Sequence, residues 1–162
     1  MNKIIDNLSI EDAKIIYRNF AGRQSQYNRA GDRNFSVIID NDEDAQRLIN
    51  DGWNLSILKA RDEDEPDRYK LKVNVKYDDK YRYRNPKVYL HTKKNWKGTI
   101  LDAETVGTLD FADILSIDLI IRPYVWEING KSGVSAYLKT MHVMIDEDEF
   151  AYKYSEEESP EE

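Results

Sequence analysis

The stretch Phe20-Ala21-Gly22-Arg23-Gln24-Ser25-Gln26-Tyr27-Asn28-Arg29-Ala30-Gly31-Asp32-Arg33-Asn34-Phe35 interleaves three arginines with three aromatic rings. Arginine carries a permanent charge in a planar fork that matches phosphate, and aromatic rings offer flat faces to unstacked bases. Arg23, Tyr27, Arg29 and Arg33 are therefore candidate contacts to a single-stranded nucleic acid, carried with the flanking phenylalanines on a long loop between strands. The competing reading is a flexible hairpin loop whose arginines are merely solvated. Long loops inside small domains are more often functional than idle, which keeps the first reading open.

A second basic tract follows. Residues 68–97 carry eleven Lys and Arg against Asp78 and Asp79, a net of +9. Within it Lys70, Lys72 and Lys76 share the polar face of a strand, and Tyr81, Arg82, Tyr83 and Arg84 continue it as alternating rings and cations. Such an alternation can track a nucleic-acid backbone, although lysine and tyrosine are also ordinary on strand surfaces. Arg122, Tyr124 and Trp126 fall on one face of a later, otherwise apolar strand, as core or as stacking platform. Trp96 sits in the basic loop Lys93-Lys94-Asn95-Trp96-Lys97-Gly98 and is a candidate exposed stacking residue, whereas Trp53, after Gly52, is expected in the core.

Catalytic chemistry finds little here. Without cysteine there is no disulfide, thiolate zinc site or cysteine nucleophile. His91 and His142 belong to separate strands with no spacing that suggests a shared metal. The run Asp62-Glu63-Asp64-Glu65-Pro66-Asp67 is dense in carboxylates but lacks the glycine and ligand spacing of a calcium loop, so it reads as a solvated loop. No phosphate-cradling glycine motif, nucleophile elbow or zinc-protease motif is present. No catalytic residue, metal or cofactor is expected.

The elements that would position these groups are mostly strands. Residues 69–77 alternate most clearly, with Tyr69, Leu71, Val73, Val75 and Tyr77 on one face and Lys70, Lys72, Asn74 and Lys76 on the other. Residues 34–40, 13–20, 55–60 and 86–92 read as further strands. Residues 117–128 and 133–145 form a hairpin joined at Asn129-Gly130-Lys131-Ser132-Gly133, because Asn and Gly both tolerate positive φ. In the last strand apolar residues move from even positions (Val134, Ala136, Leu138) to odd ones (Met141, Val143, Ile145), so a bulge or bend is expected near Lys139-Thr140. Pro123 implies an edge or bulge close by. Asp40 or Asn41 caps a helix over 42–51 with Ala45, Leu48 and Ile49 inward and Gly52 as its stop, and a weaker helix begins near Asp102 with Ala103, Val106 and Leu109 inward. Many strands with one or two short helices favour a mainly β domain, a small barrel or sandwich.

The formal charge of −7 opposes phosphate binding until its distribution is considered. Residues 146–162 hold nine acids against Lys153, a net of −8, which leaves +1 for residues 1–145. The expected organisation is a domain over 1–145 followed by an acidic, disordered tail over 146–162. The start Met1-Asn2-Lys3-Ile4-Ile5-Asp6 lacks the apolar run of a signal peptide, and no stretch approaches the roughly 18 uncharged apolar residues of a membrane helix, so a cytoplasmic protein is expected.

Arg33-Asn34-Phe35 after Tyr27-Asn28, Asp51-Gly52-Trp53-Asn54, Arg122-Pro123-Tyr124 with Trp126, and Asn129-Gly130-Lys131-Ser132-Gly133-Val134 leading to Ala136-Tyr137-Leu138-Lys139 resemble, in order and spacing, a family of bacteriophage single-stranded DNA-binding proteins. The likeness runs from about residue 13 to 146. It implies an OB-fold-like curled barrel with additional strands, about seven here where a minimal OB barrel has five. It also implies sequence-nonspecific binding of ssDNA in phage replication or recombination, and a C-terminal tail that recruits replication or recombination proteins. Tails in that family often end on an aromatic residue; this one ends Ser159-Pro160-Glu161-Glu162, with Phe150, Tyr152 and Tyr154 upstream. The alternatives are a phage structural or host-interaction β module that binds proteins and, last, a metal-dependent nuclease. An oligomer is compatible with any of them.

Overall fold

In the computed structural model, residues 4–146 are described. The expected acidic tail, apart from Asp146, lies outside them.

The chain is mainly β: β1 Leu8–Ile10, β2 Ile15–Asn19, β3 Arg33–Ile39, helix α1 Asp42–Asp51, β4 Leu55–Leu58, β5 Arg68–Val75, β6 Lys87–His91, β7 Thr99–Leu101, β8 Ile114–Ile128 and β9 Lys131–Ile145. One mixed sheet runs β1-β8-β9-β5-β3-β2, with β4 added to β5, β6 to β9, and β7 to β6. The ends of this path, β1 and β2, are consecutive in sequence. Their link is tied to both neighbours, Ala13 N–H donating to the Ile117 carbonyl at 2.8 Å and Ile38 N–H to the Lys14 carbonyl at 2.9 Å. The sheet is therefore curled, and β1 with β2 acts as one bent strand shared between β8 and β3. Counted this way the barrel has the five strands of an OB-like fold. The surplus strands β4, β6 and β7 are insertions.

Several local expectations hold for identifiable reasons. Asn129 and Gly130 both take positive φ (53° and 79°), so the hairpin turn needs only two residues and its strands extend to Ile128 and Lys131. The register steps from Ile120↔Thr140 to Ile121↔Leu138, which leaves Lys139 as the extra residue that bends β9. Pro123 lies beyond Ile121, where β1 stops pairing, so the strand missing its N–H has β9 as its partner there. The Asn41 side chain accepts from the N–H groups of Glu43 and Asp44, which starts α1 and contributes about 1 kcal/mol.

Other expectations need correction. Ile49 is 39% exposed, so α1 buries only Ala45 and Leu48. The segment near Asp102 makes a 3-10 helix, Val106–Asp110, that buries Val106 and Leu109. Residues 80–84 do not prolong the strand: β5 ends at Val75, and Arg82–Arg84 form a 3-10 turn because Asp78 accepts the N–H groups of Lys80 and Tyr81. Phe20 and Phe35 offer no faces to a ligand. Both are fully buried and stack on each other with ring centroids 5.1 Å apart. They join Val37, Leu71, Val73, Ile121, Leu138, Met141 and Trp53 in the core. Among the described residues no helix is long and apolar enough to cross a membrane.

Candidate nucleic-acid interface

Strand alternation that buries Phe35, Val37, Leu71, Val73 and Leu138 turns their neighbours outward. The pairings Asn19↔Asn34, Asn34↔Asn74, Asn74↔Tyr137 and Arg122↔Tyr137 align five half-exposed polar and aromatic residues in one row across β2, β3, β5, β9 and β8. Two clefts open along this row. One, of about 570 Å³, is lined by Arg33, Asn34, Lys72, Asn74, Lys76 and Tyr77. The other, of about 550 Å³, is lined by Lys76, Arg84, Arg122, Tyr124 and Tyr137. They share Lys76 and Tyr137, so they form one groove with a tyrosine ring at its middle. In an OB fold, the face of the second and third strands, here β3 and β5, is where oligonucleotides bind.

The groove carries five cations, Arg33, Lys72, Lys76, Arg84 and Arg122, against Asp32, Asp78 and Asp79. Asp78 is held below the usual carboxylate range by the backbone N–H bonds of Lys80 and Tyr81. Its charge thus organises the 3-10 turn. That turn places Arg84 over the rings of Tyr81 and Tyr83 at 5.0 and 5.5 Å, with Lys80 5.3 Å from the Tyr81 ring. Tyr124 meets Tyr137 edge to face, their ring centroids 6.1 Å apart.

The loop from Phe20 to Asp32 reaches the groove at Gly31 and Asp32 and is ordered by its own side chains. Asn28 Nδ2 donates to the carbonyls of Arg23, Arg29 and Asp32, and Asn34 donates to Asn28 Oδ1. Asn19 accepts from Arg23 N–H and donates back to the Arg23 carbonyl. Arg33 donates to the Phe20 carbonyl at 2.6 Å and lies over the Tyr77 ring. Arg23 pairs with Asp110 at 3.6 Å and covers Phe111, while Tyr27 and Arg29 project from the loop tip, 88% and 92% exposed.

Of the residues singled out from sequence, Arg33, Lys72, Lys76, Arg84, Arg122 and Tyr124 line the groove, and Tyr81, Arg82 and Tyr83 flank it through the 3-10 turn. Arg23, Tyr27 and Arg29, on the loop that leads into Arg33, line neither cleft. Trp126 lies two residues beyond Tyr124 and packs flat on Gly133, where an added Cβ would come within 2.7 Å of its Cζ2. Lys70 pairs with Ile38 and Ser56 and lines neither cleft. Trp96 is 73% exposed on the β6–β7 loop and lines neither cleft. Sequence reasoning missed Tyr137, Asn34, Asn74 and Tyr77. The shift of phase in β9 that revealed the bulge also turns residues 135 and 137 outward, and it was the available signal for Tyr137.

Tyr77 has a buried hydroxyl with no hydrogen-bond partner among the described residues. Burial pushes its phenol up to about 12, with Arg33 pulling down and Asp102 adding a smaller upward push. The folded state thus favours the neutral phenol. This contribution is complete below the ordinary tyrosine value of about 10 and is lost as pH rises towards about 12. Tyr77→Phe, which keeps the ring under Arg33, is expected to leave stability at pH 7 unchanged or raise it by up to about 1 kcal/mol. It should also flatten the fall of the urea midpoint between about pH 10 and 12; a loss above about 1 kcal/mol at pH 7 would contradict an unpartnered hydroxyl.

No curated protein matches the chain. Among solved structures, the single-stranded DNA-binding protein from bacteriophage Enc34 in complex with ssDNA is 10% identical, with 88% of each chain covered and a TM-score of 0.50. That similarity is one of fold. The single-stranded DNA-binding protein gp2.5 of bacteriophage T7 is 14% identical over 96% of this chain and 97% of that one, with a TM-score of 0.41. Residues 1–161 match the model of the putative phage ssDNA-binding domain, and the chain belongs to that family.

Proposed function

We propose that this phage-family protein binds single-stranded DNA without catalysis and with little sequence preference, in replication or recombination in the host cytoplasm. The observation that carries the reading is the continuous groove across β3, β5, β9 and β8, five cations deep and centred on Tyr137. Lys and Arg neutralise phosphates there while Tyr124 and Tyr137 stack bases, and a π-face is common to every base. Residues 1–145 form the binding domain. The acidic segment 146–162 competes for the groove when DNA is absent and recruits replication or recombination proteins when DNA displaces it.

Titration of labelled oligo-dT by fluorescence anisotropy tests this. Affinity should fall with salt on a log–log slope of about −0.7 per phosphate contact. Deletion of 146–162 should tighten binding at about 50 mM salt, where the electrostatic contribution is strong. Absence of binding under those conditions would transfer the β surface to protein partners instead.

A further inference from the structure

We infer that the DNA path does not end at the groove but continues along the outer face of the β6·β9 pair, where Tyr89, His91 and His142 form a second base-stacking site. The inference rests on the groove reading and adds a subsite to it. Strand β6 runs parallel to β9 with Lys87↔Thr140, Tyr89↔His142 and His91↔Met144 in register. Val88, Met141 and Val143 are buried, so the alternating partners Lys87, Tyr89, His91 and His142 face outward. The track starts beside Tyr137 in the groove, passes exposed Lys139 and Lys87, and reaches Met144 roughly 23 Å further on. Beyond it lies the β6–β7 loop with Lys93, Lys97 and Trp96, all exposed.

The rings are fixed before any ligand arrives. His91 Nδ1 is 2.8 Å from the Trp96 carbonyl, which can only accept, so that nitrogen carries a hydrogen. His91 Nε2 is 2.9 Å from His142 Nδ1, and with both rings neutral His142 donates. The two imidazoles are inclined by 22° and joined at their edges by this bond, which makes them one broad plate. Tyr89 lies flat against His142, centroids 4.6 Å apart at 9°. Backbone closes on His91 from the loop, since a Cβ on Gly98 would lie 2.6 Å from His91 Cε1. A stacking surface immobilised in this way loses little side-chain entropy on binding. Tyr89 covers the β6-side face of this plate, so a nucleobase on the lysine side stacks on the Tyr89 face turned away from His142, and the surrounding charge selects a polyanion. Asp118, paired with His142 on β8, and Asp146, at the end of β9, mark the opposite side. The strand therefore runs over β6, on the lysine side.

The test compares oligo-dT of about 5 and about 16 nucleotides, the short and long ends of what OB folds cover. In Tyr89→Ala/His142→Ala, affinity for the short oligonucleotide should be unchanged, and affinity for the long one should fall about ten-fold or more. Lys87→Gln/Lys97→Gln, at exposed positions that leave the rings in place, should reduce the salt slope by about 1.4 with the long oligonucleotide alone. Unchanged long-oligonucleotide binding in both variants overturns the inference and leaves the groove standing. Equal weakening for both lengths also overturns it. Failure of the unsubstituted protein to bind either length overturns the groove reading and the subsite with it.

Discussion

Replacing Lys76 and Arg122 together with glutamate is expected to lower ssDNA affinity about a thousand-fold or more at 50 mM salt. Lys76 lines both clefts, and Arg122 is paired with Tyr137 at their junction, so both cations sit where a strand cannot avoid them. Each phosphate contact that releases counterions contributes roughly 0.9 log unit at this salt concentration. Removing two contacts and putting two repulsive charges in their place costs about four such increments. The same four increments should lower the salt slope by about 2.8. Neither side chain is buried, so the urea midpoint should be nearly unchanged, and circular dichroism would verify the fold. Lys70→Glu supplies the contrast, since it lines neither cleft and should cost far less. A loss below ten-fold in the double variant, or an equal loss from Lys70→Glu, would remove the groove as the primary contact.

The sequence announced the fold more fully than the site because the two rest on different distances along the chain. Period-two alternation, the Asn41 cap and the Asn129-Gly130 turn are local signals, and each appears at its expected place. Even the bend at Lys139 could be read, because a bulge shifts the apolar phase within a single strand. The apparent excess of strands had a simple cause: β1 and β2 are one bent strand, and β4, β6 and β7 pair onto the outside of the barrel order.

The site, in contrast, is made by register between distant segments. Asn19, Asn34, Asn74, Tyr137 and Arg122 are unremarkable in their own windows and form a row only once β2, β3, β5, β9 and β8 are aligned. The histidines show the same limit. They are 51 positions apart in sequence, yet the parallel β6·β9 ladder brings His91 and His142 within hydrogen-bond distance. Composition also misled in one respect. In the 20–35 stretch, arginines are interleaved with Tyr27 and two flanking phenylalanines as they would be in a binding loop, but the phenylalanines anchor the core while Arg33 holds the Phe20 carbonyl and Arg23 pairs with Asp110.

That anchoring makes Asp110 the residue whose loss should most damage the fold near the site. Its side chain is wholly buried at the end of the Val106–Asp110 helix and accepts the Phe20 N–H at 2.6 Å and the Ala21 N–H at 3.2 Å. The Arg23 guanidinium, 3.6 Å away and more than half exposed, adds a screened interaction. Asp110→Ala would strand two backbone donors where the loop leaves β2, next to the Phe20–Phe35 stack, and should cost about 3 kcal/mol. Asp110→Asn keeps an acceptor and should cost roughly half as much. Urea denaturation would measure the totals, and amide exchange would locate the damage: protection of Phe20 and Ala21 should fall first, followed by the 22–32 loop that Asn28 and Arg33 hold together. The loop carries Gly31 and Asp32 into the lining of the groove, so DNA must then bear the entropy of ordering it, and ssDNA affinity should drop even at temperatures where the domain stays folded. If Asp110→Ala weakens neither stability nor binding, the loop is held by its asparagine network alone, and Arg23 owes its position to Phe111 rather than to the buried carboxylate.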